Sequence, residues 1–154
     1  MIRLAKKEDT KALLLLLGEV LNIHAECRPD IFKSGSTKYS EEDICAIMNN
    51  ALAPIYVYEN DGEIIGYAFC EIKVQMETSV LKPYKYLYID DLCVKSSCRG
   101  RGIGRALYDY VKGEAKRFNC TRITLNVWND NENALGFYEA LGLKALKTTM
   151  EENL

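Results

Sequence analysis

The feature that most constrains this chain is a change of hydrophobic period on the two sides of a glycine-rich turn. Before the turn, Tyr86–Val94 contains the aromatic and aliphatic residues typical of a strand. After it, apolar residues recur at helical spacing between Ile103 and Phe118. The turn itself is Arg99–Gly104, and a second strand-like segment follows at Ile123–Trp128. This order predicts a β-α-β unit and therefore an α/β fold.

The N-terminal part of the chain predicts a short strand and two helices. The strand covers Ile2–Leu4, and the first helix runs over Lys11–Ala25, because Pro29 prevents its continuation. Ser40 and Asp43 have the spacing of a capping box, in which each side chain bonds the backbone N–H of the other. A second helix is therefore expected to begin there.

A hairpin follows, and the chain closes with a helix and a strand. Ile55–Glu59 and Ile64–Val74 are separated by Asn60-Asp61-Gly62, which are residues that a tight hairpin turn favours. We expect a helix over Asn131–Leu141, ended by a glycine, and a last strand over Leu143–Met150. The predicted fold is α/β: a mixed central sheet with antiparallel N-terminal hairpin strands and a C-terminal β-α-β-α-β unit, flanked by helices.

Length and charge limit the classes of function. The 154 residues predict a single domain over residues 1–154. Lys and Arg number 20 against 22 Asp and Glu, so no basic excess exists to bind nucleic acid. The longest aliphatic run, Leu13–Leu17, is far shorter than the ~20 residues that span a bilayer. The charged N-terminus lacks the pattern of a signal peptide. We therefore expect a cytoplasmic protein without a nucleic-acid or membrane partner.

The cysteines predict neither a metal site nor a disulfide framework. Six are scattered without a Cys-x-x-Cys pair, and His24 is the single histidine. Zinc sites use closely spaced thiolates and imidazoles, and disulfide frameworks occur in much smaller cores. We expect reduced thiols and no metal.

The turn Arg99-Gly100-Arg101-Gly102-Ile103-Gly104 has the properties of a phosphate site. Its glycines let a ligand approach the backbone, and free N–H groups at a helix start attract anions. Arg99, Arg101 and Arg105 add positive charge. The spacing matches neither the Walker sequence, which ends in Gly-Lys-Ser/Thr, nor the dinucleotide fingerprint Gly-x-Gly-x-x-Gly. The turn alone leaves open a phosphate site or a plain strand-to-helix connection with solvated arginines.

Two motifs together resemble the GNAT superfamily of N-acetyltransferases. Arg99, Gly102 and Gly104 fill the fixed positions of its coenzyme-A signature, Arg/Gln-x-x-Gly-x-Gly/Ala. Downstream, Asn131–Leu143 is similar to the family's Asn-x-x-Ala-x-x-Phe-Tyr-x-x-x-Gly-Phe, with leucine in place of the final aromatic residue. The resemblance covers essentially the whole chain. It implies the GNAT-type fold, acetyl-CoA as co-substrate and no requirement for a metal.

The resemblance also implies where acetyl-CoA would bind. A cleft would open between the strand that ends at Val94 and the parallel strand that follows. The pyrophosphate would rest on the glycine turn. Backbone groups at the strand end would pair with the pantetheine and stabilise the oxyanion of the reaction. The expected cofactor-binding residues are Leu92, Cys93, Val94, Arg99, Gly100, Arg101, Gly102, Ile103, Gly104, Arg105, Asn131 and Tyr138.

Acetyl transfer to an amine requires one proton to be removed and another to be delivered. A primary amine with a pKa near ~10 must lose a proton before it attacks, and the leaving thiolate must be protonated. By resemblance, Tyr138 corresponds to the general acid, and Asp90 stands where polyamine-acetylating relatives carry a glutamate base. The shorter aspartate would need a relaying water. Regular strand alternation predicts Asp90 and Asp91 on opposite faces of the sheet. Asn126 stands where other relatives carry a base glutamate, and an amide cannot accept the proton.

The acceptor side is expected at the first two helices and their connection. The candidate substrate-binding residues are Glu26, Asp30, Phe32, Glu71 and Asn126. The leading interpretation is an N-acetyltransferase that acts by direct attack in a ternary complex, with a small cationic amine as acceptor. A protein N-terminal or lysine acetyltransferase and a non-catalytic acyl-CoA-binding module are the alternatives. A homodimer is an expectation from the family alone.

Overall fold

A computed structural model describes residues 1–33 and 35–154 of the chain. Within these residues, five strands form one sheet and four α-helices flank it. The strands are β1 (Ile2–Leu4), β2 (Ile55–Asn60), β3 (Glu63–Gln75), β4 (Tyr84–Val94) and β5 (Arg122–Leu125). The helices are α1 (Thr10–Cys27), α2 (Glu41–Met48), α3 (Ile103–Arg117) and α4 (Glu132–Ala140). No helix in the described part of the chain is long and apolar enough to cross a bilayer.

The sheet follows the order of the chain, β1-β2-β3-β4-β5. The first four strands pair antiparallel, whereas β4 and β5 pair parallel. A parallel pair needs a crossover connection, and α3 supplies it. The predicted mixed sheet, with antiparallel hairpins first and a β-α-β unit later, is confirmed.

The strand predicted over Ile123–Trp128 is shorter than expected. β5 ends at Leu125, so Asn126 and Trp128 lie beyond the sheet. The last pair between the two parallel strands is Ile89 with Leu125, and β4 becomes irregular immediately afterwards. A bulge bends the strand that carries it, so β5 loses its partner at this point.

The last strand predicted over Leu143–Met150 is wrong. These residues have no regular secondary structure, and β5 is one of the two edge strands of the sheet. The end of the tail is held elsewhere, because Glu151 forms an ion pair with Arg28, 2.8 Å between Oε1 and Nη1. This contact draws the tail toward the end of α1.

Two hydrophobic clusters cover the two faces of the sheet. The cluster under α1 and α2 includes Leu13, Leu17, Ile44, Val57, Tyr67, Phe69 and Cys93. The cluster under α3 includes Tyr56, Ala68, Cys70, Leu87, Ile89, Tyr108 and Val111. Alternate residues of the same strands supply both clusters, as expected for a sheet buried on both faces.

Local sequence signals in the N-terminal half are confirmed. Asp61 and Gly62 have φ of 50° and 80°, the left-handed pair that a tight hairpin turn requires. At the start of α2, the Asp43 N–H donates to Ser40 Oγ at 3.1 Å. The Ser40 N–H in turn donates to Asp43 Oδ2 at 2.8 Å, which completes the capping box.

A β-bulge in β4 changes the face to which its residues point. Asp91 pairs with Phe69 and Ile89 pairs with Cys70, so Asp90 is an extra residue without a partner on β3. The extra residue shifts the alternation by one position, and both aspartates contact tyrosines on the α1–α2 side of the sheet. The prediction that they lie on opposite faces is therefore wrong, because alternation assumes an unbroken strand.

Gly66 on β3 lies in close contact with both β4 and α3. An added Cβ would come within 2.9 Å of the Cys93 carbonyl oxygen and 3.1 Å of a Leu107 methyl group. We expect Gly66→Ala to lower the free energy of unfolding by about 2 kcal/mol, as overpacking does in cores. Urea unfolding measures this change. The control is Gly113→Ala in α3, where an added Cβ meets nothing within 4 Å. Equal stability of the two variants would contradict the close approach.

Candidate active site

The two parallel strands diverge at their carboxyl ends and leave a cleft. The ladder between them ends at Ile89 and Leu125. β4 continues to Val94, and on its other side it stays paired with β3 as far as Gly66. The backbone groups of Asp90–Val94 that face β5 therefore have no strand beside them. They form one wall of the cleft.

The glycine turn lies at the end of this wall and leads into α3. Gly100 and Gly102 have φ of 76° and 78°, in the left-handed region that side chains disfavour. A Cβ added to either one meets no atom within 4 Å, so the outer side of the turn is open. Because α3 begins at Ile103, the N–H groups of its first turn lack intrahelical acceptors. This is the local geometry of an anion site.

The arginines of the turn are exposed, and two of them also make structural contacts. Arg99 Nε donates to the Val94 carbonyl oxygen at 3.0 Å, which ties the turn to the end of β4. Arg105 Nη2 donates to the Ala140 carbonyl oxygen at 3.4 Å, at the end of α4. Arg101 is exposed. The turn therefore carries a concentrated positive charge.

α4 packs against the first turn of α3. A Cβ added to Gly104 would lie 3.1 Å from the Phe137 Cζ, so the missing side chain allows the two helices to meet. The Ala134 N–H donates to Asn131 Oδ1 at 3.1 Å, and this bond caps α4. The rings of Phe137 and Tyr138 are 5.1 Å apart. The same contact that holds α4 against the turn thus positions Tyr138.

The charge of Asp91 influences the chemistry of Tyr138. Burial, and then the charge of Asp91, raise the pKa of Tyr138 well above its usual value, so the phenol is protonated at neutral pH. The Tyr67 hydroxyl donates to Asp91 Oδ2 at 2.9 Å. Burial raises the pKa of Asp91 to about 6, although this bond opposes the rise. The site therefore combines a proton donor with a carboxylate that titrates near neutral pH.

Asp90 lies nearer to solvent than its neighbour. Its Oδ2 accepts hydrogen bonds from Lys38 Nζ and from the Tyr39 hydroxyl, both at 2.7 Å. The Tyr39 ring stacks on Phe69, 5.5 Å between centroids and 18° between planes. The loop between α1 and α2 therefore reaches across the sheet to the bulge.

Two of the predicted substrate residues, Glu71 and Asn126, lie near Asp90. Asn126 Nδ2 donates to the Tyr88 hydroxyl at 3.2 Å. Burial raises the pKa of Tyr88, and the charges of Asp90 and Glu71 add to the rise. Glu71 also forms an ion pair with Lys73, 3.1 Å between Oε2 and Nζ. These side chains form a polar surface beside the bulge.

Phe32, another predicted substrate residue, belongs to an aromatic group. Its ring lies 5.0 Å from His24 and 5.4 Å from Trp128, between centroids. The pKa of His24 is lowered by burial and then by the charge of Lys38. The influence of Lys38 indicates that the aromatic group and the Asp90 surface border the same region.

The remaining two candidates, Asp30 and Glu26, differ in their surroundings. Arg28 donates to both carboxylate oxygens of Asp30, at 2.9 and 2.7 Å. The same guanidinium lies 3.9 Å from Asp130. Glu26 is exposed on α1. Asp30 thus holds the loop in place through Arg28, and its charge is compensated.

Sequence reasoning missed the residues that hold the two carboxylates, Lys38, Tyr39 and Tyr67. No motif marks them, because two lie in a polar loop before the cap of α2 and the third is one of many core residues. The usable signal was the consecutive pair Asp90-Asp91 in a strand that is aromatic and aliphatic from Tyr86 onward. Such a pair must expose one carboxylate, bury one, or interrupt the alternation.

Comparison with known proteins identifies the family. The family model described as acetyltransferase (GNAT) family matches residues 17–143. The 5-NmdU N-acetyltransferase of Pseudomonas phage PaMx11 is 33% identical over 88 residues, which cover 57% of this chain and 55% of that protein. The chain spans about half the length of the relatives that it matches by sequence.

Solved structures share the fold over their full length. A tetramutant of the BH1408 protein from Bacillus halodurans has a TM-score of 0.96 at 30% identity, covering 100% of this chain and 99% of that one. An aminoglycoside N-acetyltransferase in complex with CoA has a TM-score of 0.74 at 16% identity, covering 100% and 98%. The second likeness concerns the fold alone. Since the family model covers most of the chain and includes the cleft and the glycine turn, this chain belongs to the GNAT family of acetyltransferases.

Proposed function

We propose that this protein is an acetyl-CoA-dependent N-acetyltransferase that acetylates a cationic primary amine by direct attack in a ternary complex. The observation that carries the proposal is the cleft beside β4. It has an open, positively charged glycine turn at one end and Asp90 and Asp91 further along the strand, and the charge of Asp91 acts on Tyr138 of α4. Positive charge suits a pyrophosphate, and carboxylates suit an ammonium group. Membership of the family supports the acetyltransferase activity.

The residues around the cleft fit CoA. On the side of β5 no strand lies beside Leu92–Val94, and this free side suits the amide groups of a pantetheine chain, with the Val94 carbonyl oxygen bonded to Arg99. The first turn of α3, with Arg101 and Arg105 exposed beside it, suits the pyrophosphate. Cys93 would contribute only its backbone, because its buried thiol donates to the Leu16 carbonyl oxygen at 3.8 Å. When bound, acetyl-CoA supplies the acetyl thioester. A protein of the same fold in complex with CoA supports the assignment.

Tyr138 is the proposed general acid. Its phenol is protonated at neutral pH, because burial and the charge of Asp91 raise its pKa. It can therefore donate a proton to the departing thiolate sulfur. The packing of α4 against the glycine turn keeps this hydroxyl in a constant relation to the proposed CoA site.

The proton of the amine passes to one of the two carboxylates in the bulge. Asp90 is the base proposed from the sequence; it lies toward solvent, with a side chain 17% exposed, and would act through a water. A specific observation favours Asp91 as a second candidate. Its pKa of about 6 makes it deprotonated at neutral pH and still basic enough to accept a proton.

The pH dependence of kcat/KM distinguishes the two carboxylates. If Asp91 is the base, activity falls as the pH decreases through about 6, because the protonated carboxyl cannot accept a proton. Asp91→Asn should then lower kcat/KM by about 100-fold and remove this limb of the profile. Asp90→Asn should keep the limb and serves as the matched control. The reverse pattern would assign the base to Asp90.

The proposed acceptor is a small cationic amine. Asp90 and Glu71 provide two carboxylates beside the cleft, each paired with a lysine in the free protein, and an aminoglycoside N-acetyltransferase has the same fold. Thiol release from acetyl-CoA, measured with a panel of diamines, amino sugars and peptides, tests this class. We expect the small cations to react fastest. Faster turnover of peptides would indicate a protein acetyltransferase. CoA binding without turnover of any amine would indicate a non-catalytic acyl-CoA-binding module.

A further inference from the structure

The carboxylate that a cationic acceptor would meet already holds an ammonium group. Lys38 Nζ lies 2.7 Å from Asp90 Oδ2, and the Tyr39 hydroxyl donates to the same oxygen at 2.7 Å. The ammonium also lies 5.3 Å from the centroid of the Tyr39 ring. A primary ammonium between a carboxylate and an aromatic ring is the arrangement that proteins use to bind alkylammonium ligands.

The charge of this ammonium acts on two neighbouring titratable groups. Burial is the main cause that lowers the pKa of His24, and the charge of Lys38 lowers it further. The same charge opposes the rise in the pKa of Asp91 that burial causes. Asp91 in turn acts on the pKa of Tyr138. Lys38 is therefore electrostatically coupled to the aromatic group on one side and to the proposed proton-transfer residues on the other.

The Lys38 side chain can move away from Asp90 without disturbing the backbone of the loop. The loop is anchored by the Tyr39 ring on Phe69 and by the capping box that begins at Ser40. The Lys38 side chain is 42% exposed, and the Asp90 side chain is 17% exposed. A partly exposed ion pair is weak, because water and salt screen it. An external cation can therefore replace the lysine while the backbone stays in place.

We propose that Lys38 is a tethered substitute for the ammonium of the acceptor, and that a cationic amine binds by displacing it from Asp90. This proposal rests on the proposed function, because it assumes that the acceptor enters at Asp90. The exchange lowers the apparent affinity for every acceptor, since the site is occupied in the free protein. It also selects for charge, because an uncharged amine cannot replace the ion pair that it breaks.

The binding of 1,4-diaminobutane to the protein saturated with CoA tests the proposal. CoA carries no acetyl group, so calorimetry measures binding without turnover. Lys38→Met should lower the Kd of the diamine about fivefold, the size expected for a partly exposed pair. Lys33→Met removes the same charge from an exposed position in the same loop and should change the Kd less than about twofold. Lys38→Gln repeats the measurement with a polar side chain.

The outcomes separate this proposal from the proposed function. Tighter binding in both Lys38 variants, with Lys33→Met near wild type, supports it. Equal effects of Lys38→Met and Lys33→Met would mean that Lys38 acts only through the net charge of the protein, and this result would overturn the proposal. Weaker binding in the Lys38 variants, or no binding in any variant, would also overturn it. If the proposed function is wrong, neither the wild type nor the variants release thiol from acetyl-CoA with any amine, whatever the calorimetry gives.

Discussion

Tyr138→Phe is expected to lower kcat for acetyl transfer about 100-fold or more, the range typical of general acid catalysis. The substitution keeps the ring, which packs against Phe137, and removes only the hydroxyl. Burial and the charge of Asp91 raise the pKa of Tyr138, so the wild-type phenol carries its proton at neutral pH. Without it, the thiolate departs with no donor beside it. The affinity for CoA and the melting temperature should stay near those of the wild type.

The matched control is Tyr110→Phe. Tyr110 lies on α3, where its ring packs edge-on against Tyr56 at 5.2 Å, among residues that contribute nothing to the cleft. This variant should keep its kcat. Steady-state rates and melting temperatures are measured on the same preparations. If Tyr138→Phe retains most of its rate, water or another residue protonates the thiolate and the assignment is wrong. A lower melting temperature with normal kcat would indicate a packing role.

Gly102→Val is expected to raise the Kd for CoA tenfold or more. Gly102 has φ of 78°, which a β-branched residue strongly disfavours, so the turn before α3 must distort. A valine side chain would also stand in the open space over the turn, where no protein atom lies within 4 Å. A hydrogen bond to a charged group contributes about 1.5–3 kcal/mol. Losing one phosphate contact therefore corresponds to about a tenfold change or more.

Gly62→Val separates this effect from backbone strain. Gly62 has nearly the same φ, 80°, and also faces open space, but it lies in the turn between β2 and β3. Both variants should lose stability in urea unfolding, and only Gly102→Val should lose affinity for CoA in calorimetry. Unchanged affinity in Gly102→Val would mean that the phosphates bind elsewhere. Loss of affinity in both variants would attribute the effect to general destabilisation.

Most elements of this fold could be predicted because their signals are local. The Asp61-Gly62 turn, the Ser40–Asp43 box and the start of α3 each depend on a few neighbouring residues. The prediction of a last strand failed because a segment becomes a strand only where it can hydrogen-bond to the edge of a sheet. The tail is instead held by Arg28, 123 residues earlier in the chain (151 − 28). No local pattern contains that contact.

The residues of the candidate site could be predicted only where they belong to a local motif. The glycine turn and Tyr138 belong to motifs, so a family resemblance indicates them. The grouping of Asp91 with Tyr67, and of Asp90 with Lys38, depends on one bulge and on a loop that crosses the sheet. Tyr67 and Asp91 are 24 positions apart along the chain, and Lys38 and Asp90 are 52 positions apart. They follow from tertiary packing, which spacing along the chain does not encode.

The bulge lets β4 contain one residue more than its partner strand while both of its faces stay correctly placed. In unbroken alternation, the same residues would either bring Asp91 into the apolar cluster under α3 or withdraw Leu87 and Ile89 from it. Either change would cost far more than the loss of one partly exposed carboxylate. Deletion of residue 90 would remove the bulge and leave the other side chains on their present faces, so we expect the sheet to tolerate it. The fold accommodates this additional residue without requiring it, which leaves its side chain available for the chemistry of the cleft.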